Sequence, residues 1–213
     1  MRALARRISY LLLTFLLFSS PWGCFYRVTL EPPKSLKIDP KEHQPVALLP
    51  LPAPASPQDA GSELYAFIRD SLEKKGYTLV KEEEVLEALE EMKLNALLLI
   101  SDQDSRKKVG ERLKAGLLMI GTFPQYIVQK SRLGSKSVEA FDGDSFTSLL
   151  LPTYFRGSSR VRLILRIFES QKGELVWMSE GTIRGSSDSA GTYSQKLADR
   201  LLESLPPVSP PKK

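Results

Sequence analysis

Between Arg160 and Ile183 the chain alternates apolar and polar residues on both sides of a single turn, a pattern that a half-buried antiparallel hairpin satisfies and a helix does not. Val161, Leu163, Leu165 and Ile167 alternate with Arg160, Arg162, Ile164 and Arg166, and Ser170-Gln171-Lys172-Gly173 supplies a turn with glycine where a left-handed conformation is needed. Pairing Ser170 with Glu174 sets Ile167 opposite Trp177 and Val161 opposite Ile183, which builds one buried face from both strands. The other face carries Arg160, Arg162 and Arg166, with Glu180 opposite Ile164 and diagonal to Arg162 and Arg166. That stripe fits either an anion-binding surface or ion pairing within the sheet.

Upstream of the hairpin, apolar runs alternate with helical periodicity. Val46 to Leu51 reads as a buried strand. Ser56-Pro57-Gln58-Asp59 starts a helix whose Leu64, Phe67, Ile68 and Leu72 share one face until Gly76 closes it. Tyr77 to Val80 is a second strand. Glu82-Glu83-Glu84 places negative charge in the first turn of a helix with Val85, Leu86, Leu89 and Met92 as its buried stripe. Leu97 to Ile100 fits a strand or a turn of buried helix, and Ser101-Asp102 caps a helix running to about Lys114. Ala115 to Phe123 is nearly continuous in apolar character, as in a strand covered on both faces. A last helix, about Ser189 to Leu205, presents Tyr193, Leu197, Leu201 and Leu202. The order implies an α/β fold, a mixed sheet with helices packed on it that ends in a β-hairpin and then a helix.

The amino-terminal segment sets location. Arg2, Arg6 and Arg7 precede an apolar run from Ile8 to Ser20, and Pro21-Trp22-Gly23 leads into the chain's single cysteine, Cys24. The segment resembles a bacterial lipoprotein signal, residues 1–23 being removed and the Cys24 thiol carrying a diacylglyceryl group. Fatty acyl chains such as palmitate on Cys24 then supply membrane attachment, two or three being needed for firm anchoring. The competing readings are an uncleaved signal anchor, or an ordinary secretory signal that leaves Cys24 as a spare thiol. In the proteobacterial systems that the segment resembles, Phe25 rather than Asp after the cysteine points to the outer membrane and its periplasmic face, with the inner membrane as the alternative. Without residues 1–23, Lys plus Arg falls from 30 to 27 against 25 Asp plus Glu, so the net charge falls from +5 to +2. No dense basic stretch interleaves with aromatics, and no nucleic-acid partner is expected.

Composition divides the mature chain further. Residues 24–45, with Pro32-Pro33, Pro40 and Pro45, read as a tether; 46–205 as a single α/β domain; and 206–213 as a proline-rich tail. Inside the domain, 124–157 reads as a long loop, of a length that is usually functional or disordered. Its second half gathers Phe146, Leu149, Leu150, Leu151, Tyr154 and Phe155, which either fold back on the domain's core or form a partner-binding patch.

Catalytic motifs are weak. The sole histidine, His43, lies in the tether segment, so no histidine-based triad or metal centre is expected inside the domain. Ser71 to Lys74 and Ser105 to Lys108 match Ser-x-x-Lys without its companion motifs. Asp142-Gly143-Asp144-Ser145 lacks the closing glutamate of a calcium loop. The expectation is a protein that is not an enzyme and needs no cofactor or metal; a hydrolase using a carboxylate pair is the alternative from that class.

Several short motifs, in order, resemble a known group. They are Val46-Ala47-Leu48-Leu49-Pro50, Leu72 to Tyr77, Val109-Gly110 with Ala115 to Thr122, and Gly173 to Trp177. They are similar to bacterial envelope lipoproteins with a domain like the amino-terminal domain of TolB, including CsgG, LpoB, PelC and a neisserial-type lipoprotein family of unassigned function. The resemblance implies a non-catalytic, periplasmic scaffold that binds other envelope proteins, often as a homo-oligomer, in envelope assembly, export or cell-wall synthesis. A CsgG-like secretion-channel subunit is the rival within the group. It requires membrane-crossing hairpins, and 123–158 lacks two clear runs of about ten alternating residues.

Overall fold

The computed structural model describes residues 26–34, 36–52, 60–141, 146–186 and 190–208, and not the side chains of 60, 135–141 and 146–152. A five-stranded sheet in the order β1-β7-β6-β3-β2 forms the centre. Its strands are β1 (Arg27–Leu30), β2 (Val46–Leu48), β3 (Leu117–Gln129), β6 (Ser158–Glu169) and β7 (Glu174–Gly185). β2 and β3 run parallel; the other neighbours are antiparallel, which makes the sheet mixed as expected. Helices α1 (Ala60–Lys74) and α5 (Ala190–Leu202) pack on one face, over a core that includes Leu64, Ile68, Leu163, Trp177, Tyr193 and Leu197. On the other face, α2 (Glu82–Glu91), α3 (Leu98–Ser101) and α4 (Gln103–Leu113) enclose Ala47, Leu49, Leu118, Ile120 and Phe168. Because β3 lies between the two cores, Leu117 and Met119 enter one and Leu118 and Ile120 the other, which explains its unbroken apolar run.

The hairpin has the anticipated pairs, Ile167 with Trp177, Val161 with Ile183 and Ile164 with Glu180. Near the turn the register slips at a bulge, so Glu169 rather than Ser170 faces Glu174. Leu97 to Ile100 resolves as helix: Leu99 is buried within α3, and Asp102 alone caps α4, accepting from the Asp104 amide at 3.1 Å. Tyr77 to Val80 shrinks to one bridge, Val46 with Leu79, and Leu86 of the expected buried stripe is exposed. The Ser56 helix start lies outside the described residues.

Three expectations about connections are corrected. Residues 27–34 and 36–38 are not a free tether: β1 lines the edge of β7, and the Lys34 and Lys37 amides go on to donate to Met178 and Val176 carbonyls. Val28, Leu36 and Ile38 pack on the core, and Pro32-Pro33 fit because an edge strand does not need every amide. The tail is docked as far as Val208, whose amide donates to the Lys75 carbonyl at 2.9 Å, while the Tyr77 hydroxyl donates to the Pro206 carbonyl at 2.8 Å.

The third correction is the largest. The described part of 124–157 is not a loop: β3 continues through a bulge at Phe123-Pro124 to Gln129, and β4 (Arg132–Phe141) pairs with β5 (Phe146–Phe155) as a separate two-stranded ribbon. Pro124 has no amide to give to the ladder, which accounts for the slip in register there.

Candidate docking surface

In chain order the ribbon falls within the β3–β6 pair, as a separate sheet. That pair ends at Gln129 opposite Ser158, the ribbon begins at Arg132 opposite Phe155, and the Gly157 amide donates to Ser131 Oγ at 2.8 Å across the break. β4 and β5 are each ten residues long and in unbroken register, but neither Arg132–Phe141 nor Phe146–Phe155 alternates apolar with polar residues, so the alternating runs that membrane-crossing hairpins require are still missing.

At the ribbon's base large apolar side chains face solvent. Leu133 is 83% exposed, and Tyr154, its cross-strand partner, is 63% exposed. Phe155 is 42% exposed, with the Arg132 guanidinium 5.5 Å from its ring centre, and Ile127 and Val128 of β3 are also exposed. Tyr154 and Phe155 therefore do not fold back into the domain's core. The side chains of Phe146, Leu149, Leu150 and Leu151 lie outside the described set.

The arginine stripe separates into two kinds of residue. Arg162 donates from Nε to Oε1 of the nearly buried Glu180 carboxylate, and its Nη2 lies against the same oxygen. Arg166 donates to Thr122 Oγ1 at 3.1 Å, and burial pulls its guanidinium below the ordinary value, the Glu180 charge opposing. Both have roles inside the sheet. Arg160 has none: it stands opposite Arg184, with no acid beside it among the described residues.

His43 is also placed differently from the sequence expectation. Its backbone packs on Gly116, and with Glu42, Glu111, Lys114 and Ser170 it lines a cavity of about 400 Å³. Among the described residues no three His, Cys, Asp or Glu side chains cluster as metal ligands, and no helix is long and apolar enough to cross a membrane. Cys24 lies outside the described residues.

No protein-family model matches the chain, and no curated protein does. Among solved structures the chain is similar to the PelC dodecamer from Paraburkholderia phytofirmans, with 16% identity, 85% of this chain and 98% of that chain covered, and a TM-score of 0.47. It is similar to lipoprotein GNA1162 from Neisseria meningitidis, with 13% identity, 74% and 97% coverage, and a TM-score of 0.49. The LpoB C-terminal domain from Salmonella enterica gives 13% identity, 66% and 82% coverage, and 0.39. The names coincide with the group that the sequence motifs resemble; at these identities and scores neither family nor function follows from the likeness.

Proposed function

We propose that the protein is a lipid-anchored, periplasmic protein-binding module that self-associates, accessory to envelope assembly, export or cell-wall synthesis. The observation that carries this reading is the β4–β5 ribbon, whose outer edges carry no further strand among the described residues. Two strands alone are marginal in water, and an open edge is a template for another chain. Exposed Leu133, Tyr154 and Phe155 at its base supply the apolar contact that backbone pairing lacks. The charged, then apolar, amino-terminal segment ending at Cys24 supports the anchor.

Light scattering on the protein purified from membranes in detergent tests the self-association. The wild type is expected to be oligomeric, and Leu133→Lys with Tyr154→Lys monomeric with unchanged melting. A monomeric wild type overturns the reading. Mass spectrometry of the amino-terminal peptide checks the acyl groups on Cys24.

One observation favours a second reading, a secretion-channel subunit. β4 and β5 are each ten residues long, the length at which a tilted strand crosses a bilayer. Ion conductance across a planar bilayer, lost when residues 135–152 are replaced by a short turn, separates this reading from the first.

A further inference from the structure

We propose that the end of the central sheet nearest Cys24 is a docking face for the anionic phosphate headgroups of the membrane that holds the anchor. This rests on the lipid-anchor reading of Cys24 and adds an orientation to it. Arg27 of β1 pairs in register with Arg184 of β7, which pairs with Arg160 of β6. Residues directly opposite each other share a face of the sheet, and adjacent strands are about 4.8 Å apart, so three guanidinium groups stand in one row. Like charges so placed repel, and among the described residues none of the three makes an ion pair or a side-chain hydrogen bond. Their neighbours Arg162 and Arg166 are both partnered. The row lacks its counter-charge.

Among the described residues the strand segments at this end carry further cations and no acid, while Asp199 of α5 and Glu203 line a separate depression with Tyr26. Segments 26–30, 129–134, 153–161 and 181–186 meet here through the β1–β7, β6–β7 and β3–β6 pairings and the Ser131 to Gly157 hydrogen bond. Between them they hold Arg27, Lys130, Arg132, Arg156, Arg160 and Arg184 and neither Asp nor Glu, whereas the helices mix both signs. Arg27, Arg156 and Arg184 with Tyr26 and Ser186 line an open depression of about 460 Å³, room enough for a phosphate headgroup. Exposed Ile127 extends the arginine row onto β3, and exposed Tyr26 borders it at the other side. Basic residues with an aromatic and an aliphatic side chain at one level match the headgroup layer of a bilayer.

Chain length selects the membrane over a soluble polyanion. Three residues of chain span at most about 11 Å, so an acylated Cys24 keeps Arg27 within that distance of the lipid surface. Tyr26 and Arg27, two and three residues after the anchor cysteine, line the depression.

The test uses the full chain, processed and purified from membranes, with Ser158→Cys labelled by a small fluorophore. An acylated Cys24 leaves position 158 as the one reactive thiol. Vesicles are phosphatidylcholine with a headgroup-quencher lipid, with or without phosphatidylglycerol. Strong quenching on the phosphatidylglycerol vesicles is expected, weak quenching on phosphatidylcholine alone, and loss of the difference in Arg27→Gln/Arg160→Gln/Arg184→Gln or at high salt. Flotation with both vesicle types should be the same for all variants, since it reads the acyl chains. Equal quenching on the two vesicle types, or a triple variant that behaves as wild type, overturns the docking face. Binding of the triple variant's parent to soluble polyphosphate in preference to vesicles overturns the membrane as partner. Two labels per chain with no flotation on phosphatidylcholine overturns the anchor reading instead, whatever the quenching shows.

Discussion

Arg106 donates from Nε to the Gly173 carbonyl at 2.8 Å, which ties helix α4 to the turn of the β6–β7 hairpin. Its Nη1 reaches back to the carbonyls of Leu99 at 2.7 Å and Ile100 at 3.0 Å, and its guanidinium stacks 4.4 Å from the centre of the Phe168 ring. The residue is only 7% exposed and is compensated by carbonyl dipoles and the ring rather than by a carboxylate in contact. Burial accordingly pulls its guanidinium below the ordinary value, with the Asp102 charge opposing.

Replacing Arg106 by Met removes the donors and leaves three carbonyls without them, so a loss of about 3 kcal/mol in urea unfolding is expected. Arg106→Lys should recover little, because an ammonium cannot reach α3 and the hairpin turn with one planar fork. A loss under about 1 kcal/mol for the Met variant would contradict the role assigned to these bonds.

Arg106 also shows where the sequence was silent. It sits inside a Ser-x-x-Lys match, and nothing in a charged helix marks one guanidinium as buried against a turn far along the chain. By contrast the β6–β7 hairpin was legible because packing on one face imposes period two, and α1, α2 and α5 because burial imposes helical spacing. None of the described side chains of β4 and β5 rests on either core. Their backbone pairing is real, yet the polar, glycine-bearing sequence from Gln129 carries no burial rhythm, and Pro124 interrupts the strand that leads to them. The edge strand β1 was hidden for a related reason: prolines that argue against a central strand are compatible with an edge. Of the stripe on β6, composition could name the arginines but not tell Arg162 and Arg166, which have partners, from Arg160, which has none.

Gly116 is a second place where distant backbone meets. A β-carbon there would lie 2.3 Å from the His43 carbonyl oxygen, and the Gly116 amide donates to the Pro45 carbonyl at 2.9 Å. The neighbour is backbone and cannot swing aside as a side chain does. Gly116→Ala is therefore expected to cost about 1–3 kcal/mol in thermal or urea unfolding. Increased amide exchange at Val46 and Thr78 should accompany it, because residues 43–45 lead directly into β2. Unchanged stability would mean that 42–45 packs elsewhere.

Tyr77 and Tyr65 set an alkaline limit. Burial pushes the Tyr77 hydroxyl up to about 12, and burial followed by the charge of Glu82 raises Tyr65 to about 12. Both stay neutral in the folded chain at a pH where the unfolded chain loses its protons, near 10. The unfolded state then binds fewer protons, so stability is fully present below pH 10 and is lost as the pH rises toward 12. The slope is at most about 1.4 kcal/mol per pH unit for each tyrosine. Urea unfolding at a series of pH values should show it, and Tyr77→Phe should flatten it while removing the hydrogen bond to Pro206. A slope unchanged by that substitution would assign the alkaline loss to other groups.

Tyr193 makes the opposite prediction for a hydroxyl. Its ring is buried beneath Tyr26, 5.6 Å between centroids, but the hydroxyl has no hydrogen-bond partner among the described residues. Gly185 explains why the ring sits there: a β-carbon at that position would come within 2.3 Å of Tyr193 Cε2, so only glycine leaves the space the ring fills. A desolvated, unpaired hydroxyl costs about 1–3 kcal/mol. Tyr193→Phe keeps the packing and removes that cost, so it should be neutral or stabilising by up to about 1 kcal/mol, whereas Gly185→Ala should destabilise by overpacking. The two variants measured by the same urea titration separate the terms. A Tyr193→Phe chain that loses more than about 1 kcal/mol would show that the hydroxyl has a hydrogen-bond partner in solution, such as a trapped water.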